Sequence, residues 1–148
     1  TDKVYDTIIN VAPDEAIEIF HGYTYSAHPA ACAAGIATQK IYESEGLFEQ
    51  AAGLEDYFLD AIWSLQDHPL VADIRGIGLM AGIEVHSDGA PGRRGGRMQT
   101  RMFWNGLHVK WTGDNAIVAP AFIAQRNHVD EIVDKFRKTL DDALESGA

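Results

Sequence analysis

The residues best suited to chemistry lie together in one short stretch, His21 to Pro29, which runs directly into a helix rich in small residues. The stretch holds two tyrosines, Tyr23 and Tyr25, and the hydroxyls of Thr24 and Ser26. A helix N-terminus presents unpaired N–H groups and a partial positive charge, so these hydroxyls and amides together could receive an anion such as a phosphate. The alternative is structural: Ser26 caps the helix, Pro29 sits in its first turn, and no ligand binds.

A second candidate is Lys110, which stands between Val109 and Trp111 just before the segment Thr112-Gly-Asp. A cation at the end of a short strand, beside an aromatic ring, is suited to receive a substrate carboxylate. The same position also fits an outward-facing lysine on an edge strand, which discourages aggregation. The residues alone leave both interpretations open.

Other patterns favour structure over chemistry. Residues 76–81 match a dinucleotide-binding glycine fingerprint, but strand-like residues follow where that motif needs a helix, so we predict a turn. Arg93, Arg94 and Arg97 lie among glycines and predict a flexible, solvated loop. The six histidines show no ligand spacing, so no metal site is expected. Cys32, the only cysteine, excludes an internal disulfide and is expected to be a small buried residue.

Composition limits the remaining possibilities. A chain of 148 residues is long enough for one domain with its own core. Its net charge of −10 disfavours general nucleic-acid binding, which requires phosphate-neutralising lysines and arginines. No apolar run reaches the length of a membrane span, so a cytoplasmic setting is expected. Because the chain begins at Thr1 without a methionine, we expect a piece of something longer.

The hydrophobic periodicity predicts an α+β fold, in which helices cover a small, mostly antiparallel sheet. The last helix is expected to be capped by Asn127. The predicted helices span residues 2–9, 47–65, 97–105 and 127–144, and a further helix runs from residue 29 to a break at 43–46; the predicted strands lie within 70–85, 107–111 and 116–119; the predicted loops are 10–19 and 86–96.

The strings HGYTYSAHPAACAAG, RGIGLMAGIEV and VKWTGDNAIVAP, in this order and spacing, resemble class III aminotransferases. Within that class the chain is most similar to the omega-amino-acid:pyruvate group, the β-alanine and amine transaminases. The resemblance covers essentially the whole chain and implies the C-terminal portion of a pyridoxal-phosphate enzyme of fold type I. Residues 1–27 would end the large cofactor-binding domain, and residues 28–148 would form the small C-terminal domain, beginning with the interdomain helix.

The resemblance also implies roles for particular residues. Thr24 and its neighbour Tyr23 would bind the phosphate of the pyridoxal 5'-phosphate held by the other subunit of a homodimer. Lys110 occupies the position of an arginine that receives the substrate carboxylate; a lysine keeps the charge but lacks the planar two-pronged grip. The substrates would be an amine or omega-amino acid and a keto acid such as pyruvate.

No catalytic residue is expected within the chain, because the Schiff-base lysine of the family and the aspartate facing the pyridine nitrogen would lie upstream of Thr1. Two alternatives to an omega transaminase remain open at this stage. One is another class III activity, such as a 4-aminobutyrate or ornithine-type transaminase or an aminomutase. The other is a non-catalytic interaction module that retains the small-domain fold.

Overall fold

A computed structural model of the chain describes residues 1–11 and 22–147, which fall into two compact units, 1–39 and 40–148. The first unit contains helix α1 (Asp2–Ile9) and the beginning of helix α2 (Pro29–Ser44). Both helices were predicted from the sequence and are confirmed. The predicted loop 10–19 lies almost entirely outside the described residues.

The second unit holds a four-stranded sheet and three further helices. In chain order these are α3 (Leu47–Trp63), β1 (Val71–Ile77), β2 (Met80–Val85), α4 (Arg93–Trp104), β3 (Lys110–Thr112), β4 (Asn115–Val118) and α5 (Arg126–Glu145). The strands lie in the order β1-β2-β4-β3, and every neighbouring pair is antiparallel. The predicted α+β class, with a small antiparallel sheet covered by helices, is therefore confirmed.

The core lies between one face of the sheet and the helices. Strand β2 shows the strand period of two: Ala81, Ile83 and Val85 are buried, whereas the residues between them are partly exposed. Among the described residues, Phe58 of α3 and Phe136 of α5 are the largest fully buried side chains, and both belong to this core. The opposite face of the sheet is not packed by any described helix of this unit, since the core cluster draws on one face only.

The glycine-rich segment 76–81 forms the turn of the β1–β2 hairpin, as predicted. Ile77 pairs with Met80, and Gly78 adopts a left-handed φ of 58° that favours glycine. The carboxylate of Glu55 on α3 accepts a hydrogen bond from the Gly78 N–H at 2.9 Å, which ties the tip of the hairpin to the helix. The dinucleotide fingerprint is excluded because a strand, not a helix, follows these glycines.

The prediction of a loop over residues 86–96 is wrong at its C-terminal end, because α4 begins at Arg93 and includes Gly95 and Gly96. The arginines there are also not simply solvated: Arg94 donates to the His86 carbonyl at 2.7 Å, and Arg97 forms an ion pair with Asp88. These contacts order the segment even though its composition favours a loop.

Three further predictions are corrected. Strand β3 begins at Lys110, so 107–109 precede it. Helix α5 begins at Arg126 after the N-cap Gln125, whose N–H donates to Nδ1 of His128 at 3.0 Å, so Asn127 is not the cap. Cys32 is exposed rather than buried, as α2 contributes no buried residue.

None of the helices in the described ranges is long and apolar enough to cross a bilayer.

Candidate functional site

The tyrosine–threonine stretch forms an exposed turn ahead of α2. Its backbone is fixed by hydrogen bonds from the Ser26 N–H to the Tyr23 carbonyl, at 3.0 Å, and from the His28 N–H to the Tyr25 carbonyl, at 3.3 Å. Ala27 adopts a left-handed φ of 62°, which turns the chain into the helix. Tyr23 is 74% exposed and Tyr25 is 86% exposed. His21, at the start of the stretch, lies outside the described residues.

The Ser26 cap of the structural alternative is not formed. At the start of α2 the Ala31 N–H instead donates to Nδ1 of His28, at 3.4 Å. His28 stands closer to the helix than Ser26, because the left-handed Ala27 separates Ser26 from the first helical turn. The hydroxyl of Thr24 makes no hydrogen bond to any residue in the described part of the chain and faces solvent. An exposed hydroxyl donor in a turn that leads into a helix N-terminus is suited to an oxyanion such as a phosphate.

Lys110 is the first residue of β3, which lies at the edge of the sheet and pairs with β4. Its neighbour Trp111 faces the core, where its ring stacks on Phe136 with centroids 6.3 Å apart and planes 24° from parallel. Because side chains alternate along a strand, Lys110 and Thr112 project from the opposite face of the sheet. The predicted edge-strand lysine is therefore what the structure shows, on the sheet face that the helices leave uncovered.

A cavity of about 350 Å³ lies beside Lys110. Its wall is formed mainly by apolar side chains, including Val109, Ile117 and Ile132, and Lys110 is the one lysine or arginine in the lining. This cavity is suited to a small molecule with an apolar part and one carboxylate, because the Lys110 ammonium group supplies the opposite charge and the rest of the wall is mainly apolar. Thus both interpretations of Lys110, an edge lysine and a carboxylate receiver, remain compatible with its surroundings.

The turn that follows β3 is locked onto the start of α4. The Asp114 carboxylate accepts hydrogen bonds from the Gly92 N–H at 3.0 Å and from the Gly95 N–H at 2.8 Å. Partial burial alone would raise the pKa of Asp114, but hydrogen bonds from the Gly95 and Gly92 amides and from the Ser87 side chain, together with the positive charge of Arg94, hold that pKa below its ordinary value. We call Gly92, Gly95, Gly113 and Asp114 the turn clamp.

The turn clamp was not predicted from the sequence. Its members lie about twenty residues apart, and each half alone resembles an ordinary glycine-containing turn. The only available signal was the coincidence of several glycines with an aspartate in the second turn.

In the described residues there is no group of three or more histidine, cysteine, aspartate or glutamate side chains that could hold a metal ion.

Comparison with known proteins identifies the family to which this chain is similar. The sequence model described as "Aminotransferase class-III" matches residues 2–140. The omega-aminotransferase of Caulobacter vibrioides is 46% identical over 139 residues, covering 93% of this chain and 31% of the relative. The β-alanine–pyruvate aminotransferase of Pseudomonas aeruginosa is 37% identical over 142 residues, covering 95% of this chain and 32% of the relative.

Solved structures agree with the sequence relatives. A thermostable omega transaminase from Pseudomonas jessenii, in a sixfold mutant form, superposes on this chain with a TM-score of 0.74 at 35% identity. The match covers 84% of this chain and 29% of the transaminase chain. The chain thus spans about a third of the length of the curated relatives it matches. From the order of its motifs, its antiparallel sheet and these matches, the chain belongs to the class III aminotransferase family.

Proposed function

We propose that the chain is the C-terminal portion of a pyridoxal-phosphate-dependent transaminase that moves an amino group from an omega-amino acid or amine to a keto acid such as pyruvate. The observation that carries the proposal is the 46% identity to an omega-aminotransferase over 93% of the chain. A match of this extent supports a shared fold and a shared class of reaction. The proposed enzyme is cytoplasmic and works as a homodimer.

The cofactor of the proposed enzyme is pyridoxal 5'-phosphate, and the turn before α2 fits its phosphate. The Thr24 hydroxyl is exposed and has no hydrogen-bond partner among the described residues, and Tyr23 lies next to it. In the proposal these two residues bind the phosphate of the cofactor held by the other subunit. When bound, this cofactor supplies the electron sink that makes amino transfer feasible. The residues of the present chain contribute binding and orientation.

Lys110 has the second proposed role, which is to hold the substrate carboxylate. Its ammonium group can donate to carboxylate oxygens, while the apolar wall beside it receives the carbon chain of a short amino or keto acid. A lysine makes a less directional contact than an arginine, so we expect tolerance of carboxylates at different distances from the reacting carbon. The lysine that reacts with the cofactor belongs, in this proposal, to the upstream part of the enzyme.

The proposed division at residues 27 and 28 assigns the phosphate-binding turn to the large domain and α2 to the small one. Within the chain itself, the compact units divide between Gln39 and Lys40, partway along α2. A helix that continues through such a division is compatible with an interdomain helix. In the proposed enzyme, α2 therefore connects the two domains.

Lys110 keeps a second candidate within the family open, a 4-aminobutyrate or ornithine-type transaminase or an aminomutase, because the resemblance to the omega group implies an arginine at this position. The two candidates differ in donor preference. The full-length enzyme, loaded with pyridoxal phosphate, should form alanine from pyruvate fastest with β-alanine or an amine as donor. Preference for 4-aminobutyrate or ornithine with a different acceptor would favour the second candidate, and absence of any transfer would favour a non-catalytic module.

Thr24→Ala tests the phosphate role in the same full-length protein. Loss of one hydroxyl donor to a phosphate should weaken cofactor retention by about tenfold, as judged by the cofactor remaining after dialysis. Thr24→Ser is the matched control, because it keeps the hydroxyl and should retain the cofactor nearly as well as the unaltered protein. Equal retention by all three proteins would contradict the role of Thr24.

A further inference from the structure

The turn between β3 and β4 is held from two sides. On one side Asp114 accepts from the Gly92 and Gly95 N–H groups at the beginning of α4. On the other side the Asp114 carbonyl accepts from the Val85 N–H at 2.9 Å, which ties the turn to the end of β2. Without these contacts, β3 and the two-residue turn would be attached to the rest of the sheet only through β4. These contacts fix the position of the turn relative to both the sheet and α4.

The contact between α4 and the turn leaves no room for a side chain. A Cβ atom built on Gly95 would lie 2.0 Å from the Gly113 carbonyl oxygen, and one on Gly92 would lie 3.2 Å from the Gly113 Cα. Gly113 itself adopts a left-handed φ of 61°. The three glycines thus allow two backbones to approach closely, and the Asp114 carboxylate joins them.

The turn also determines the register of β3. Thr112 pairs with Asn115 across it, and Lys110 consequently pairs with Ile117. A slip of one residue would exchange the two faces of the strand, moving Lys110 toward the helices and Trp111 away from Phe136. Because β3 has only three residues, few hydrogen bonds of its own oppose such a slip. Its register therefore depends on the turn.

We infer that Asp114 is a positioning residue, which acts through the turn clamp to hold Lys110 on the open face of the sheet where a substrate carboxylate is received. The inference rests on the proposed function. It adds that binding of the substrate carboxylate depends on the carboxylate of Asp114, which lies in the turn four residues after Lys110 and makes no contact of its own with the substrate. Asp114 binds backbone amides, and only its effect on β3 reaches the substrate.

The other hairpin of the sheet provides a matched control. There Glu55 accepts from the Gly78 N–H at 2.9 Å, so a carboxylate again ties a hairpin turn to a helix through a backbone amide. That hairpin connects β1 and β2 and does not include β3. Glu55→Gln should therefore remove the charge from a comparable tie without affecting Lys110.

The test uses the full-length holoenzyme and compares Asp114→Asn with Glu55→Gln. We expect Asp114→Asn to raise KM for pyruvate about tenfold, the ratio that corresponds to one charge-assisted hydrogen bond, while KM for benzylamine, which lacks a carboxylate, stays unchanged. Glu55→Gln should change neither KM. In a Lys110→Ala background, Asp114→Asn should have little additional effect on pyruvate, because both substitutions remove the same interaction.

Backbone hydrogen exchange of residues 110–118 gives a readout that does not depend on turnover. Exchange there should rise in Asp114→Asn and not in Glu55→Gln. Unchanged exchange, an equal rise of both KM values, or fully additive effects with Lys110→Ala would each overturn the inference while leaving transamination intact. A wild-type holoenzyme that transfers no amino group would instead overturn the proposed function, and with it the role of Lys110.

Discussion

Two adjacent glycines of α4 should respond in opposite directions to the same substitution. At Gly96 a Cβ meets nothing within 4 Å, so Gly96→Ala should stabilise the fold by about 0.5–1 kcal/mol through helix propensity alone. At Gly95 the same atom lies 2.0 Å from the Gly113 carbonyl oxygen, whereas ordinary contacts begin at 3.4 Å. The helix and the turn would have to separate by more than an ångström.

The cost at Gly95 has two parts. Forcing an extra carbon into a packed contact costs about 1–3 kcal/mol, and loosening the amide–Asp114 hydrogen bonds, which are partly exposed, costs about 1 kcal/mol more. The helix-propensity gain offsets about 1 kcal/mol of this. Gly95→Ala should therefore destabilise the fold by about 1–3 kcal/mol.

Urea unfolding of the 148-residue chain, followed by far-ultraviolet circular dichroism, measures both variants against the unaltered chain. The midpoints should move to lower urea for Gly95→Ala and to higher urea for Gly96→Ala, with similar slopes. If Gly95→Ala were as stable as the unaltered chain, or if both variants moved in the same direction, the close approach of α4 to the turn would be refuted.

Two further predictions concern the core and the response to acid. Phe58 is fully buried, so Phe58→Ala should lower the free energy of unfolding by about 3–5 kcal/mol, whereas Phe48→Ala, at a position 47% exposed, should cost clearly less; equal costs in urea unfolding would contradict the placement of the core. The pKa of Asp114 is lowered in the folded state, so its stabilising contribution is present above the unfolded carboxyl pKa of about 3.9 and is lost as the pH falls through the lower folded value. Asp114→Asn should accordingly lose less stability on acidification than the unaltered chain does, and identical pH profiles would contradict the clamp.

Local sequence patterns were sufficient to predict most of the fold. The alternation along β2 and the glycine at position 78 predict the first hairpin, and the apolar stripe of α3 predicts a helix with a buried side. Each of these signals lies within a few residues of the structure it specifies. The helices and hairpins were therefore found, while their ends shifted by one or a few residues.

Features that depend on distant contacts were not predicted. Gly95 and Gly96 indicate a loop by composition, but both are helical. The Gly113 turn packs against Gly95, and Asp114 accepts from the Gly92 and Gly95 amides where the helix begins. The Ser26 cap considered for α2 is likewise not formed. The Ala31 N–H donates to Nδ1 of His28 instead, and Ala27, between Ser26 and His28, is left-handed. Neither effect is encoded in the neighbouring residues.

The two residues of the candidate site, Lys110 and Thr24, were predicted to different extents. The placement of Lys110 on a strand ahead of a glycine–aspartate turn follows from local pattern and is confirmed. The role of Thr24 remains a prediction, because its proposed ligand belongs to another subunit and no contact within the chain tests it. The resemblance of the motifs to class III aminotransferases is what connects the two residues to one reaction.

The most direct test of the proposed function is transfer of a labelled amino group by the full-length protein. The holoenzyme would be incubated with nitrogen-15-labelled β-alanine and unlabelled pyruvate, and the alanine formed would be analysed by mass spectrometry. We predict that the label appears in alanine only when pyridoxal phosphate is bound, and that the 148-residue chain alone transfers none. Unlabelled alanine, transfer without the cofactor, or turnover by the 148-residue chain alone would contradict the account.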